Sequence, residues 1–144
     1  LAAEVDTVVP VECDITVDAD RRRLVDRARE RTGHVDILVN NAGKPGPPNA
    51  EDETADGFSS ILDVNLAAGF HLATYATSTV PEGAGISIIN ISSVIGLVST
   101  APIGGASYAA SKAGILGLTR ELAGQWGRRA PVSTPSCPGG SIPK

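Results

Sequence analysis

An α/β fold with a parallel sheet is what this sequence predicts, on three observations. Short β-branched apolar runs, residues 35–39 and 86–91, alternate with longer Ala- and Leu-rich segments, and that alternation builds βαβ units whose strands run parallel. Both runs end in small polar residues, Asn40-Asn41 and Ser92-Ser93, where open α/β sheets place their ligands, outside the carboxyl ends of the strands. Finally, a chain of 144 residues, 42% hydrophobic and 19% charged, holds one domain with a sizeable core and no more.

In chain order, residues 7–13 form a short apolar run predicted as a strand that ends at Asp14-Ile15-Thr16. Asp18 or Asp20 can then cap a helix running to about Arg31, with Leu24, Val25 and Ala28 inward. Arg21, Arg22, Arg23, Arg27, Arg29 and Arg31 make its outer, solvated face, and Gly33 is placed to end it. Residues 35–39 are the next strand, with Asn40-Asn41-Ala42-Gly43 as its carboxyl-end turn. Lys44-Pro45-Gly46-Pro47-Pro48 can continue neither strand nor helix. A long helix is expected over 51–79, interrupted near Gly57 or Gly69, with Ile61, Leu62, Val64, Leu66, Phe70 and Leu72 as its apolar side. Residues 86–91 are a buried strand. The Ala-rich segment from Tyr108 to Trp126 is a helix that buries Ile115, Leu116, Leu118 and Leu122, with Trp126 as a packing anchor.

Composition excludes several classes of function. A net charge of −4 gives no basic footprint for nucleic acid. No apolar run approaches the length of a membrane span, and no signal-peptide pattern opens the chain. Cys13 and Cys137 lack metal-site spacing and read as reduced thiols of a cytoplasmic protein; His34 and His71 have no matching partners, so no metal is expected. Leu1 begins in mid-pattern, as an internal fragment of a longer chain would.

Chemistry concentrates after the serine strand. Tyr108 and Lys112 stand at i and i+4, on one face of a helix. An ammonium beside a phenol favours the phenolate and lowers its pKa toward working pH, which makes an acid/base device. Such a pair alone is commonplace on helices. Here Asn40-Asn41-Ala42-Gly43, Asp63-Val64-Asn65 and Ile91-Ser92-Ser93 precede it in order. Alternation along the strand lets only one of Ser92 and Ser93 face a cleft.

Those four motifs, within a stretch from about Val8 to Ala130, resemble the short-chain dehydrogenase/reductase family, in its single-domain branch that includes 3-oxoacyl-carrier-protein reductases and sugar dehydrogenases. The resemblance implies one incomplete Rossmann-type, doubly wound NAD(P)-binding domain over 1–144. Tyr108 would be the general acid/base. Lys112 would lower its pKa and bond the nicotinamide ribose. Ser93, second of the pair as in the family, would donate to the substrate carbonyl, and Asn65 would hold a water in a proton relay. Asp14, Ile15, Asn41, Ala42, Gly43, Tyr108 and Lys112 would contact NAD or NADP, with Pro138-Gly139 matching the family's Pro-Gly contact. A homo-oligomer, dimer or tetramer, is implied through the helices at 51–79 and 108–126.

The sequence also departs from the family. The Gly-rich turn that seats a pyrophosphate on a helix N-terminus is absent, and with it the residue that selects NAD or NADP. The loop from Ser93 to Tyr108 is a residue or two longer than is common. Residues 131–144 do not read as the expected buried strand, and a reading-frame slip after about Arg129 would account for them; the nucleotide sequence tests that directly. The expected function is hydride transfer between a nicotinamide and a carbonyl or secondary alcohol. A 3-oxoacyl-thioester reductase is named first and a sugar or secondary-alcohol dehydrogenase second. The alternative class is a non-catalytic nucleotide-binding or scaffold protein, against which the intact Asn65, Ser93, Tyr108 and Lys112 set speaks. These 144 residues alone are expected to be inactive.

Overall fold

The computed structural model describes residues 8–101 and 105–127. Its elements in chain order are α1 (Asp18–Thr32), β1 (Ile37–Asn40), α2 (Ala55–Leu62), α3 (Ala68–Ser78), β2 (Ser87–Asn90) and α4 (Ala106–Trp126). Short 3₁₀ turns lie at Ala50–Asp52 and Val94–Gly96, and a π turn at Asp63–Ala67 joins α2 to α3. The expected α/β architecture is therefore present: β1 and β2 pair in parallel, from Ile37 opposite Ser87 to Asn40 opposite Asn90, with α2 and α3 as the crossover. Buried Ala73, Ala76, Ile86 and Ile88 form the core cluster, packed by Val35, Leu38, Val80 and Trp126. The small Ala73 and Ala76 let α3 lie close against the strands.

The sheet is covered on one face by the described residues. Leu38 turns to the helices, whereas Ile37 and Val39 remain 63% and 53% exposed. Parallel sheets ordinarily bury both faces. The same geometry corrects the strand expected at residues 7–13: its described part, 8–13, has no strand structure, and Val8 and Val9 are exposed. A strand exists by its ladder, and among the described residues β1 pairs with β2 alone.

Helix α1 forms where expected but starts differently. Val17 occupies the N-cap and supplies no side-chain bond, so neither Asp18 nor Asp20 caps it. Asp20 instead accepts from the Asp14 N–H at 2.9 Å, while Asp14 accepts from the N–H and hydroxyl of Thr16. Those Thr16 bonds hold the Asp14 carboxyl below the usual range. Asp18 is occupied by Arg22 at 2.8 Å and by the Tyr75 hydroxyl, which ties α1 to α3. These bonds push its pKa far down, Arg22 contributing most. Arg21 does not belong to the outer face. It is buried, donating to the Ile15 carbonyl at 2.7 Å and to Asp18 at 3.1 Å. Arg22, Arg23, Arg27 and Arg29 are exposed and paired with Asp18, Asp20, Glu30 and Asp26, so the helix neutralises its own face. Gly33 ends it at φ 87°, a conformation that glycine adopts without strain.

The helix expected at 51–79 is interrupted at neither glycine. Thr54 caps α2 by accepting from the Gly57 N–H at 3.0 Å, and the break is the π turn containing Asn65. Ile115 and Leu122 are buried on α4, Leu116 and Leu118 half-buried. Among the described residues no helix is long and apolar enough to cross a membrane. Cys13 is a free thiol whose pKa is raised by burial and then by Asp20. His34 pairs with Asp36 at 3.2 Å, and His71 is exposed beside Phe70. Pro138, Gly139 and the tail 131–144 lie outside the described residues.

Candidate active site

Helix α4 carries two of the expected side chains one turn apart. Tyr108 is half-buried in its first turn, and Lys112 is only 4% exposed. The Lys112 Nζ lies 5.6 Å from the centre of the Tyr108 ring and donates to the Ile91 carbonyl at 2.8 Å, at the end of β2. Burial pushes the Lys112 pKa down. An ammonium has three donors, so the bond to Ile91 leaves two for a ligand.

The two serines after β2 have diverged in role. Ser92 is buried, and its hydroxyl donates to the Lys112 carbonyl at 2.8 Å, tying the strand end to α4. Ser93 is half-buried and extended (φ −153°, ψ 156°); its oxygen accepts from the Ile95 N–H at 3.3 Å, and its hydroxyl proton remains to be donated. The turn that follows lies hard against α4. A Cβ on Gly96 would come within 2.7 Å of the Lys112 carbonyl carbon and 2.8 Å of the Ala113 nitrogen. Only glycine lets the two backbones meet there.

Asn65 is buried in the π turn, and its amide bridges three segments. Its oxygen accepts from the Lys44 N–H at 2.8 Å; its nitrogen donates to the Lys44 carbonyl at 3.0 Å and to Ser111 Oγ at 3.1 Å. Ser111 in turn donates to the Tyr108 carbonyl at 2.8 Å. Both Asn65 amide hydrogens are thus committed, and among the described residues Oδ1 accepts one bond of the two it can take. This explains where the helix breaks. A π turn forgoes some helical hydrogen bonding, and the three Asn65 bonds to other elements offset that loss.

The turn Asn41-Ala42-Gly43 is exposed after β1. A Cβ on Gly43 would sit 3.4 Å from Asn65 Oδ1 and 3.7 Å from Lys112 Nζ, so the turn borders both. Asn41, Ala42, Asn65 and Ile15 line one cavity of about 150 Å³. Asp14 is exposed and engaged with Thr16. The structure therefore brings Asn41, Ala42, Gly43, Asn65, Tyr108 and Lys112 to one end of the sheet; Ile15 lines the cavity, which Ser93, Tyr108 and Lys112 do not.

Asn90 and Thr119 escaped the sequence reading, and Asn40, expected in the turn, is the last residue of β1. Asn40 donates to Asn90 Oδ1 at 2.9 Å and to the Gly69 carbonyl at 3.2 Å, and Asn90 donates to Thr119 at 2.9 Å. This buried chain ties both strand ends to α3 and α4. The signal was an asparagine inside the apolar run Ile88-Ile89-Asn90-Ile91, because a buried amide must find partners. Among the described residues no cluster of His, Cys, Asp or Glu is placed to hold a metal ion.

Comparison with known proteins gives concordant results. Residues 1–140 match the family model for short chain dehydrogenases. L-Fucose dehydrogenase of Oryctolagus cuniculus is 35% identical over 139 residues, covering 94% of this chain and 48% of that protein. The 2-dehydro-3-deoxy-D-gluconate 5-dehydrogenase of Escherichia coli K12 is 32% identical over 121 residues, covering 79% and 47%. The crystal structure of a dehydrogenase/reductase from Sinorhizobium meliloti 1021 superposes with a TM-score of 0.78 at 30% identity, covering 88% of this chain and 48% of that one. The chain thus spans about half the length of the curated relatives it matches.

Proposed function

We propose that this chain, which belongs to the short-chain dehydrogenase family, is part of an oxidoreductase that interconverts a secondary alcohol and a carbonyl with NAD or NADP. The observation that carries this reading is the buried Lys112 ammonium 5.6 Å from the Tyr108 ring, on a helix tied to the end of β2. The donor set fits the nicotinamide-ribose half of a dinucleotide: two remaining Lys112 donors and the glycine-ended turn Asn41–Gly43 beside them. The bound cofactor supplies hydride exchange at its nicotinamide. Tyr108 exchanges a proton with the substrate oxygen. Lys112 stabilises the phenolate and holds the ribose. Ser93 donates to the substrate oxygen and steadies charge that develops there. Asn65 fixes the loop at Lys44 and the turn of α4 through Ser111, and its spare lone pair suits it to hold the relay water.

The relatives named for L-fucose and for a deoxygluconate favour a polyhydroxylated secondary alcohol. A 3-oxoacyl thioester, first by sequence, becomes the second candidate. A panel decides between them: whole protein with NAD⁺ or NADP⁺ and L-fucose, and with NADH or NADPH and acetoacetyl-CoA, followed by nicotinamide absorbance. Turnover of the sugar is expected. Turnover of acetoacetyl-CoA alone would reverse the order, and tight dinucleotide binding without turnover of anything would favour the non-catalytic alternative. We further propose that the 144 residues by themselves bind NADH and NADPH too weakly for calorimetry to detect, because they contain no Gly-rich turn for the pyrophosphate. Micromolar binding would refute that. The whole protein is proposed to be a dimer or tetramer, which sedimentation measures.

A further inference from the structure

Helix α4 begins without a cap of its own. Its N-cap is Gly105, which has no side chain, and the first N–H groups of a helix have no acceptor within it. The acceptor comes from elsewhere in the chain. Glu53, just before α2, places Oε2 3.2 Å from the Ser107 N–H. A carboxylate there also complements the positive end of the helix dipole. The junction is closely packed. Ser107 is fully buried, and a Cβ on Gly46 would stand 2.6 Å from Ser107 Oγ and 3.3 Å from Glu53 Oε1. A Cβ on Gly105 would collide with the Pro47 carbonyl. The loop that leaves β1 therefore lies against the first turn of α4, and Glu53 fastens it there. Ser107 Oγ and Glu53 Oε1 have no protein partner among the described residues, so the Oε2 bond is the polar contact made by the Glu53 carboxylate.

The residue after Ser107 is Tyr108. We propose that Glu53 is a positioning residue: it caps α4 from the loop before α2 and so fixes the turn that presents the Tyr108 phenol. This rests on the acid/base role given to Tyr108 above. Lys112 is held separately, through Ile91 and Ser92, so loss of the cap moves the phenol and spares the ammonium.

The test uses the whole protein and two readouts. Amide hydrogen exchange needs no substrate: Glu53→Ala is expected to speed exchange of the Ser107 amide roughly tenfold, as loss of a helix cap would. Glu53→Gln, whose amide oxygen still accepts, is expected to restore protection. Turnover with whichever of L-fucose and acetoacetyl-CoA the whole protein accepts supplies the second readout. Glu53→Ala is expected to lower kcat about tenfold with unchanged dinucleotide affinity, yet to change kcat less than about twofold in a Tyr108→Phe background, since residues acting through one another are non-additive. Where Glu53→Ala fails to fold, Glu53→Asp, one methylene short of Ser107, carries the same expectations. Unchanged Ser107 exchange in every variant would overturn the cap. Equal losses of kcat in both backgrounds would overturn positioning and leave Glu53 a general structural residue. Full activity in Tyr108→Phe alone would instead bring down the reaction, and the exchange readout keeps that failure separate.

Discussion

Tyr108→Phe in the whole protein is expected to lower kcat on the order of 10²–10⁴-fold, the usual worth of a positioned acid or base, while dinucleotide affinity stays nearly unchanged. The substitution deletes one oxygen and little volume, and the ring stays beside Lys112, one turn before it on α4. Nothing in the described contacts makes the hydroxyl a structural support; the Ser111 bond goes to the Tyr108 backbone carbonyl. Steady-state kinetics with a parallel dinucleotide titration checks both halves. Near-normal kcat would remove Tyr108 from the mechanism.

Lys112→Ala is expected to do more, and in two places at once. Activity falls as for Tyr108→Phe, because the phenolate loses its cation. Dinucleotide affinity falls as well, by roughly tenfold, the scale of one charge-assisted hydrogen bond. The fold also feels this change. Lys112 is buried and its ammonium serves the Ile91 carbonyl, so truncation strands that carbonyl and leaves a cavity beside α4. A lowered melting temperature should accompany the kinetic loss. Unchanged dinucleotide affinity would show that Lys112 does not hold the ribose.

Much of this was legible in the sequence, for reasons that differ between elements. Strands β1 and β2 were visible because β-branched runs bounded by turn residues have few other solutions. Helix α4 and its Tyr108–Lys112 pair followed from alanine content and spacing. Less visible was anything decided by partners distant along the chain. Val17 holds the cap of α1 because Asp18 is drawn to Arg22 and Tyr75. Arg21 is buried because the Ile15 carbonyl needs a donor, which no local pattern announces. The break at Asn65 depends on Lys44 and Ser111, and the cap on α4 comes from Glu53, 54 residues earlier in sequence than Ser107. Residues 8–13 had the composition of a strand, but among the described residues they pair with no neighbour.

We propose that this chain carries the proton-transfer half of a nicotinamide-dependent oxidoreductase. Isotope transfer tests it most directly. Whole protein is incubated either with acetoacetyl-CoA and NADH or NADPH deuterated at the transferring position of the nicotinamide ring, or with NAD⁺ or NADP⁺ and L-fucose deuterated at its carbon-bound hydrogens. The products are then read by mass spectrometry. Deuterium on the newly formed carbinol carbon of the thioester, or on the nicotinamide reduced by the sugar, abolished by Tyr108→Phe, is the expected result. Absence of label from every product despite bound dinucleotide, or label undiminished in Tyr108→Phe, would contradict the account.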